Sequence, residues 1–302
     1  MKSQRLFMHI VIYMVFGRKK YKIPRYLFFL VGYFNNGDVM NILITGARSG
    51  IAHALIDTFI KRHNQGDVIY AAVKNEIQKR RLEAEYEHYN WIKSIVIDIT
   101  KQTDREKVRE LDIDVLVANA AIGKGGSVLE IPVDEIRYNF GVNVFSNVEL
   151  VQLVLKQMLE KKKGKIIVMA SLAGLVPIPF LGSYCATKAS LIHLSTSLRY
   201  ELKERKSKID VILIEPGLYH TGFNQLMFED KYDRKSFQKY FDAQIAQLQK
   251  REYWVEHYLE KKRLDTIVKK IREAIEAEHP KKIYRSPLLQ VLGSKIYQLF
   301  LL

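Results

Sequence analysis

Tyr184 and Lys188 stand four residues apart in Tyr184-Cys185-Ala186-Thr187-Lys188. On a helix that spacing puts both side chains on one face. A tyrosine hydroxyl ordinarily titrates at about pH 10, too high for efficient proton transfer near neutrality. A neighbouring ammonium favours the phenolate and lowers that value, making the pair an acid–base couple. Alone, the pattern recurs by chance in many helices. Here Ser171 stands thirteen residues earlier, just past a strand-like run. A hydroxyl there can bond the oxygen of a carbonyl or an alcohol. Asn143, in Gly141-Val142-Asn143-Val144, interrupts a long helical pattern. Its amide can hold a water or a backbone carbonyl on a proton path.

A second set of residues suits a phosphate. Thr45-Gly46-Ala47-Arg48-Ser49-Gly50-Ile51-Ala52 follows one apolar run and opens a helical one. One glycine permits a tight turn and a second lets backbone approach a phosphate. The helix N-terminus adds N–H groups and the positive end of its dipole. The next apolar run ends Tyr70-Ala71-Ala72-Val73-Lys74, without an acid. NAD sites usually carry an acid there for the ribose hydroxyls. Lys74 and Arg48 instead put cations where a 2′-phosphate would lie, so NADP is favoured and NAD stays open. The eight histidines show no metal-ligand spacing, and no metal is expected. His220 lies beside the later Pro216-Gly217 segment and is a candidate substrate contact.

These groups need elements to position them. From Met40 onward short apolar runs alternate with longer amphipathic ones. The runs predict strands over Asn41–Thr45, Val68–Ala72, Ser94–Ile97, Val115–Ala118, Lys165–Ala170 and Val211–Ile214. A seventh is expected at Lys282–Tyr284. Helical patterns cover Ile51–Lys61, Glu76–Tyr86, Arg105–Leu111, Val133–Glu160 and Ala186–Arg205. Such alternation implies an α/β fold: a Rossmann-type, doubly wound parallel sheet with helices on both faces. No linker-like tract follows Met40, so a single domain is expected over 40–285. Residues 218–260 break the rhythm with Tyr219, Phe223, Met227, Phe228, Tyr232, Phe237, Tyr240, Phe241, Tyr253, Trp254 and Tyr258. They read as a helical substrate lid after the sixth strand, suited to a hydrophobic substrate. Residues 286–302 form an apolar, basic tail that lies on a membrane surface or packs on its own domain.

Taken together, these motifs resemble the short-chain dehydrogenase/reductase family, in its compact branch. Thr45-Gly46-x-x-x-Gly50-Ile51-Ala52 resembles its cofactor turn. Asp98, with Ile99 beside it, is similar to its adenine-contacting acid. Ala118-Asn119-Ala120-Ala121 resembles its Asn-Asn-Ala-Gly segment. Pro216-Gly217 with Thr221 resembles the stretch that lies near the nicotinamide. Asn143, Ser171, Tyr184 and Lys188 match its catalytic tetrad in order and spacing. The resemblance implies hydride transfer between nicotinamide and a carbonyl or secondary alcohol. Tyr184 would protonate the oxygen and Ser171 polarise it. Lys188 would depress the Tyr184 pKa and orient the ribose, and Asn143 would hold a water. The resemblance also implies a homo-oligomer paired through the helices that carry Asn143 and Tyr184. Ala52, Ala118 and Ala121 depart from the family pattern, each by a small side chain, and none removes a catalytic group.

The 302 residues are 48% hydrophobic, enough for a substantial core, and carry a net charge of +15. Residues 1–39 hold +6 of it and residues 260–302 hold +5. The excess is therefore terminal, and no nucleic-acid recognition motif accompanies it. The single cysteine, Cys185, excludes an intrachain disulfide and suits a reducing compartment, the cytoplasm. Neither apolar run of residues 1–39 reaches the roughly 18–20 residues that span a bilayer. That leader reads either as sequence upstream of a natural start near Met40 or as a membrane-proximal segment with basic residues on anionic headgroups. Two other functions compete with a soluble reductase. One is a catalytically silent dinucleotide-binding regulator; the other is a membrane-associated reductase of lipid-type ketones.

Overall fold

From Met40 onward the short apolar runs become strands because both faces of the sheet they join are covered. The strands are β1 (Asn41–Thr45), β2 (Val68–Val73), β3 (Ile92–Val96), β4 (Val115–Ala118), β5 (Gly164–Met169), β6 (Ile209–Pro216) and β7 (Ile283–Ser286). They pair in parallel in the order β3-β2-β1-β4-β5-β6-β7. The order reverses between β1 and β4, which opens a crevice at their carboxyl ends. The computed structural model describes residues 39–61, 66–232 and 240–301. The leader expected at 1–39 lies, apart from Val39, outside the described residues.

Alternation along β1 separates two cores. Ile42 and Ile44 face α1 (Gly50–Ile60), α2 (Glu76–Glu85) and α9 (Asp265–Glu276), packing with Leu55, Ile56, Leu82, Ile267 and Ile271. Leu43 faces the other side, with Leu150, Val154 and Met158 of α5 (Ser146–Lys161) and Leu191 and Leu202 of α6 (Gly182–Glu204). The small Ala52, on α1, is buried in the first core. The remaining helices are α3 (Gln102–Glu106), α4 (Val133–Phe140), α7 (Phe223–Tyr232), α8 (Asp242–Leu259) and α10 (Leu288–Leu301).

Several boundaries depart from expectation for identifiable reasons. α6 begins at Gly182, four residues earlier than its periodicity predicts. Its first turn is buried against Leu181, Tyr184, Cys185 and Met227, and such tertiary contacts extend helices past their local signal. The long pattern Val133–Glu160 is continuous in space but contains a π turn, Gly141–Phe145, between α4 and α5. Ser146 Oγ donates to Gly141 O at 2.8 Å across it. The pattern Arg105–Leu111 covers only the later part of an element that starts earlier, α3 followed by a 3₁₀ turn at Lys107–Glu110. The seventh strand sits one residue later than expected, at Ile283–Ser286. Tyr219 is not part of a lid: it is 1% exposed, and its hydroxyl bonds Thr266 Oγ1 and Ser286 Oγ in the core.

Candidate active site

The carboxyl ends of β1, β2, β4, β5 and β6 open on one cleft of about 280 Å³. Its phosphate-like corner is built by the turn after β1. Gly46 holds φ +69°, and a Cβ there would press on Ala120 Cα and Asn119 Nδ2, both at 3.1 Å. The strain of that φ and this close approach together require glycine. Ser49 is the N-cap of α1 and makes no side-chain cap bond, and the first turn of α1 has no acid. The opening N–H groups of α1 thus meet the cleft without a side-chain acceptor, a cradle that fits an anionic diphosphate.

Gly46, Ser49, Gly50, Ile51, Lys74, Asp98, Ile99, Asn119, Ala120, Pro216, Gly217 and Thr221 all line this cleft with Ser171, Tyr184 and Lys188. Four expected residues lie outside this lining: Thr45, Arg48, Asn143 and His220. Thr45 is fully buried behind the wall: its Oγ1 accepts from the N–H groups of Asn119 at 2.9 Å and Ala120 at 3.0 Å, joining β1 to the loop after β4. Arg48 is exposed and outside the cleft lining, because the turn points Ala47 inward and leaves its neighbour in solvent. His220 also lies outside the lining, drawn away by Glu260, whose Oε2 is 2.9 Å from its Nδ1. Gln78, Thr100, Tyr138 and Asn224 line the cleft without having been singled out, and Phe223, expected in the lid, lines it too. Thr100 had a local signal, two residues after Asp98: its N–H and Oγ1 both donate to Asp98 Oδ1.

At the other end, Tyr184 and Lys188 are buried, 7% and 4% exposed. Lys188 Nζ donates to Met169 O at 2.9 Å and lies 5.7 Å from the Tyr184 ring centroid. Burial pulls the Lys188 pKa down to about 8. Burial also pushes the Tyr184 hydroxyl well above its ordinary value, opposed by its hydrogen bond with Ser171. This reverses the sign expected from the Tyr–Lys spacing. Desolvation is the largest cause, and the Lys188 ammonium, itself desolvated and held on a backbone carbonyl, does not offset it. Ser171 Oγ also accepts from Ala173 N at 3.1 Å, which caps the 3₁₀ turn Leu172–Gly174.

Asn143 is fully buried, rolled inward by the π turn. Its Nδ2 donates to Ile122 O at 2.8 Å and Thr187 Oγ1 at 3.2 Å, and its Oδ1 accepts from Ile122 N at 2.8 Å. Both amide protons are therefore used by protein, and of the two partners expected of this amide it holds a backbone carbonyl, Ile122 O. Asn139 and Asn147 extend the same pattern. Asn147 Nδ2 donates to Ala120 O at 3.1 Å. Asn139 Nδ2 donates to Lys124 O at 2.9 Å and Ser183 Oγ at 2.8 Å, and its Oδ1 accepts from Lys124 N at 3.3 Å. Two extended residues advance about 6.6 Å and four helical residues rise about 6 Å, so the repeats match. Asparagine at every fourth position of the largely apolar stretch 139–147 was the signal for this ladder.

The model of the short chain dehydrogenase family matches residues 40–232. The chain belongs to that family. A probable short-chain type dehydrogenase/reductase of Helicobacter pylori is 33% identical over 62% of this chain and 68% of its own length. The NADPH-dependent 3-dehydrocapnine reductase of Ornithobacterium rhinotracheale is 30% identical over 59% of this chain and 65% of its own length. The 3-ketodihydrosphingosine reductase of Bacteroides thetaiotaomicron is 29% identical over 60% and 65%. The chain thus spans about two thirds of these relatives. A short-chain dehydrogenase/reductase from Burkholderia phymatum, solved with NAD, superposes with a TM-score of 0.71 over 86% of this chain and 93% of its own, at 19% identity. That likeness establishes the shared fold. As a member of the short-chain dehydrogenase family, the protein is an oxidoreductase.

Two measurements check this geometry. Asn139→Ala removes the side-chain partner of the buried Ser183 hydroxyl and of the part-buried Lys124 backbone, and is expected to cost about 2 kcal/mol in urea unfolding. Lys188 holds a folded-state pKa of about 8, below its unfolded value. The unfolded chain therefore binds more protons between these two values, and this residue's destabilising contribution fades as pH rises through them. Wild type is expected to gain about 2 to 3 kcal/mol relative to Lys188→Met between pH 7 and pH 10. A flat difference would contradict a buried ammonium.

Proposed function

We propose that the protein is an NADP-dependent oxidoreductase acting on a carbonyl or secondary alcohol of a hydrophobic substrate. The observation that carries this reading is the convergence of Ser171, Tyr184 and Lys188 on the floor of a cleft whose far end is a helix N-terminus. A bound nicotinamide supplies or accepts the hydride. Gly46, Ser49, Gly50 and Ile51 would hold its diphosphate. Asp98, Ile99, Asn119 and Ala120 would line the adenine side. Pro216, Gly217 and Thr221 would border the nicotinamide.

Ser171 donates a hydrogen bond to the substrate oxygen, and Tyr184 donates its proton there in the reducing direction. A hydroxyl whose pKa is raised by burial stays neutral, the form a proton donor needs. Lys188 orients the ribose and restores the proton to Tyr184. Asn143 acts as a positioning residue, fixing Ile122 and Thr187 on either side of that relay.

The substrate end supports the hydrophobic reading. Phe223 places its ring 5.9 Å from that of Tyr184, and Met227 and Phe228 pack around the same cluster. Two relatives bear the names of 3-dehydrocapnine and 3-ketodihydrosphingosine reductases, the first of them NADPH-dependent. Lys74 supports NADP: it lines the cleft in the turn after β2, beside Gln78, whose Oε1 accepts from Lys74 N at 3.0 Å. Exposed Phe145, Leu194 and Tyr200, on the helices of Asn143 and Tyr184, support a homo-oligomer. Among the described residues no helix is long and apolar enough to cross a membrane. A cytoplasmic setting with peripheral membrane contact belongs to this proposal.

A panel of carbonyls and alcohols followed at the NADPH absorbance, with both cofactors, tests the activity. Tyr184→Phe is expected to lower turnover by about 10²- to 10⁴-fold while cofactor binding, read by fluorescence titration, persists. Near-normal turnover in that variant refutes the assignment. Binding of NADPH without turnover of any substrate would favour the silent regulator. Lys74→Ala is expected to raise the KM for NADPH by about tenfold and leave that for NADH unchanged. Equal effects on both cofactors would remove Lys74 from the 2′-phosphate.

A further inference from the structure

The sheet gathers positive charge at the edge opposite the cleft. Lys162 and Lys163 lead into β5, Arg205, Lys206 and Lys208 into β6, and Lys281 and Lys282 into β7. These strands are neighbours in the sheet and run parallel, so their basic entries stand side by side. There a second cavity opens, of about 330 Å³. Its lining includes five cations: Arg199 and Lys203 on α6, Lys206 just past that helix, and Lys281 and Lys282. Backbone holds the guanidinium in place. Arg199 Nε donates to Val211 O at 2.8 Å, and its Nη2 donates to Lys282 O at 3.1 Å. Arginine carries five N–H donors, so three are left for a ligand among the described residues. Ser207 lines the cavity too, and its Oγ accepts from Ile209 N at 3.3 Å, which leaves its own proton to donate.

No acid neutralises this set. Among the described residues none of the four lysines has a carboxylate partner. Glu201, Glu204 and Glu278 are exposed nearby in the sequence and do not line the cavity. Asp210 lines it, but its side chain belongs to the other face of the sheet. It stands in register with Lys165, whose Nζ donates to Ile275 O at 2.5 Å and Ala277 O at 2.7 Å at the end of α9. Helix α9 covers the face opposite α6. Glu215, the buried acid whose charge reaches Arg199, is paired with Arg285. The negative end of the α6 dipole offsets about half an elementary charge, and most of the excess remains.

The chemistry of the donors selects the anion. A pinned guanidinium offers a planar fork, and lysines add movable point charges, the combination that suits the several oxygens of a phosphate. A single carboxylate would leave most of the charge unmet. We propose that this cavity is a second anion site, which binds the phosphate group of a phosphorylated ligand between Arg199 and the four lysines, at the opposite edge of the sheet from the cofactor cleft. The site is independent of the catalytic assignment, and its test reads binding rather than turnover.

Acylation of the full chain by an acetyl succinimidyl ester, followed by peptide mass spectrometry, reads each lysine separately. NADPH is present throughout to occupy the cleft. Inorganic pyrophosphate is expected to slow Lys203, Lys206, Lys281 and Lys282 about fivefold or more, with one common dissociation constant, and to leave Lys162 on the same edge unchanged. Arg199→Lys keeps the charge and loses the fork, and is expected to raise that constant about tenfold. The double variant Lys203→Ser, Lys281→Ser changes only exposed side chains, and is expected to raise it about tenfold as read at Lys206 and Lys282. Slowing of Lys162 to the same extent would show diffuse charge in place of a site and overturn the proposal. So would an unchanged constant in both variants. Slowing confined to Lys74 would place the anion in the cleft, overturning this proposal and leaving the cofactor reading intact. Two further probes identify the source of the phosphate. Protection by glycerol 3-phosphate would support a free phosphorylated ligand. Protection only by phosphatidylcholine vesicles with about one tenth phosphatidic acid would support the same site on a lipid headgroup.

Discussion

The loop after β4 carries an irregular backbone through the interior, and burying such a backbone is costly unless its N–H and C=O groups find partners. Side chains from two elements supply them. From β1, Thr45 takes the amides of Asn119 and Ala120 on one oxygen. From the long helix, Asn147, Asn143 and Asn139 take Ala120, Ile122 and Lys124 in turn. The cleft depends on this clamp, because Gly46 rests on Ala120 and Asn119 and sets the corner where α1 begins. The same asparagines reach Thr187 and Ser183, the residues preceding Lys188 and Tyr184. One buried network thus sets both ends of the site, and partial removal would cost more than any single bond in it suggests.

Within that frame, the electrostatics of the chemistry are governed by burial. Moving Tyr184 and Lys188 out of water penalises the charged form of each. The neutral phenol is favoured at rest, and the lysine titrates near the working range of pH rather than far above it. A surface Tyr–Lys pair would have neither property. Burial of Lys188 carries a stability cost, and in the mechanism proposed above that cost is what places a proton relay near neutrality.

The parts legible in the sequence are those whose chemistry and structure are local. The turn after β1 announces itself by glycines at a strand–helix junction, and the strands by apolar runs bounded by breaks. Tyr184, Lys188 and Ser171 were legible as candidates through their joint order and spacing and the family resemblance, though the sign of the Tyr184 shift was not, since burial depends on atoms far away in the chain. Asn143 was visible as an interruption; that it faces inward follows from a π turn that periodicity does not encode. Arg48 and Lys74 were equal candidates as cations, and only the path of the turn separates them. Thr45 looked like a cofactor contact because it opens the motif, whereas its partners lie more than 70 residues away.

The substrate side follows a different logic, and Gln290 shows why it was less readable. This side chain ties Leu218 after β6 to Leu259 at the end of α8, from a helix beyond β7. It also occupies the space that a Cβ on Gly217 would need, so a side chain at Gly217 would displace the amide of a residue 73 positions later. None of these links has a periodic signature. The aromatics of 218–260 therefore looked alike in sequence but divide in space. Tyr219 enters the core, Phe223 and Phe228 pack by Tyr184, and Tyr253, Trp254 and Tyr258 remain exposed. The cofactor half is written in short motifs at strand ends. The substrate half is held by long-range bonds among late helices, where changes of packing can alter the mouth of the cleft without touching the groups on its floor.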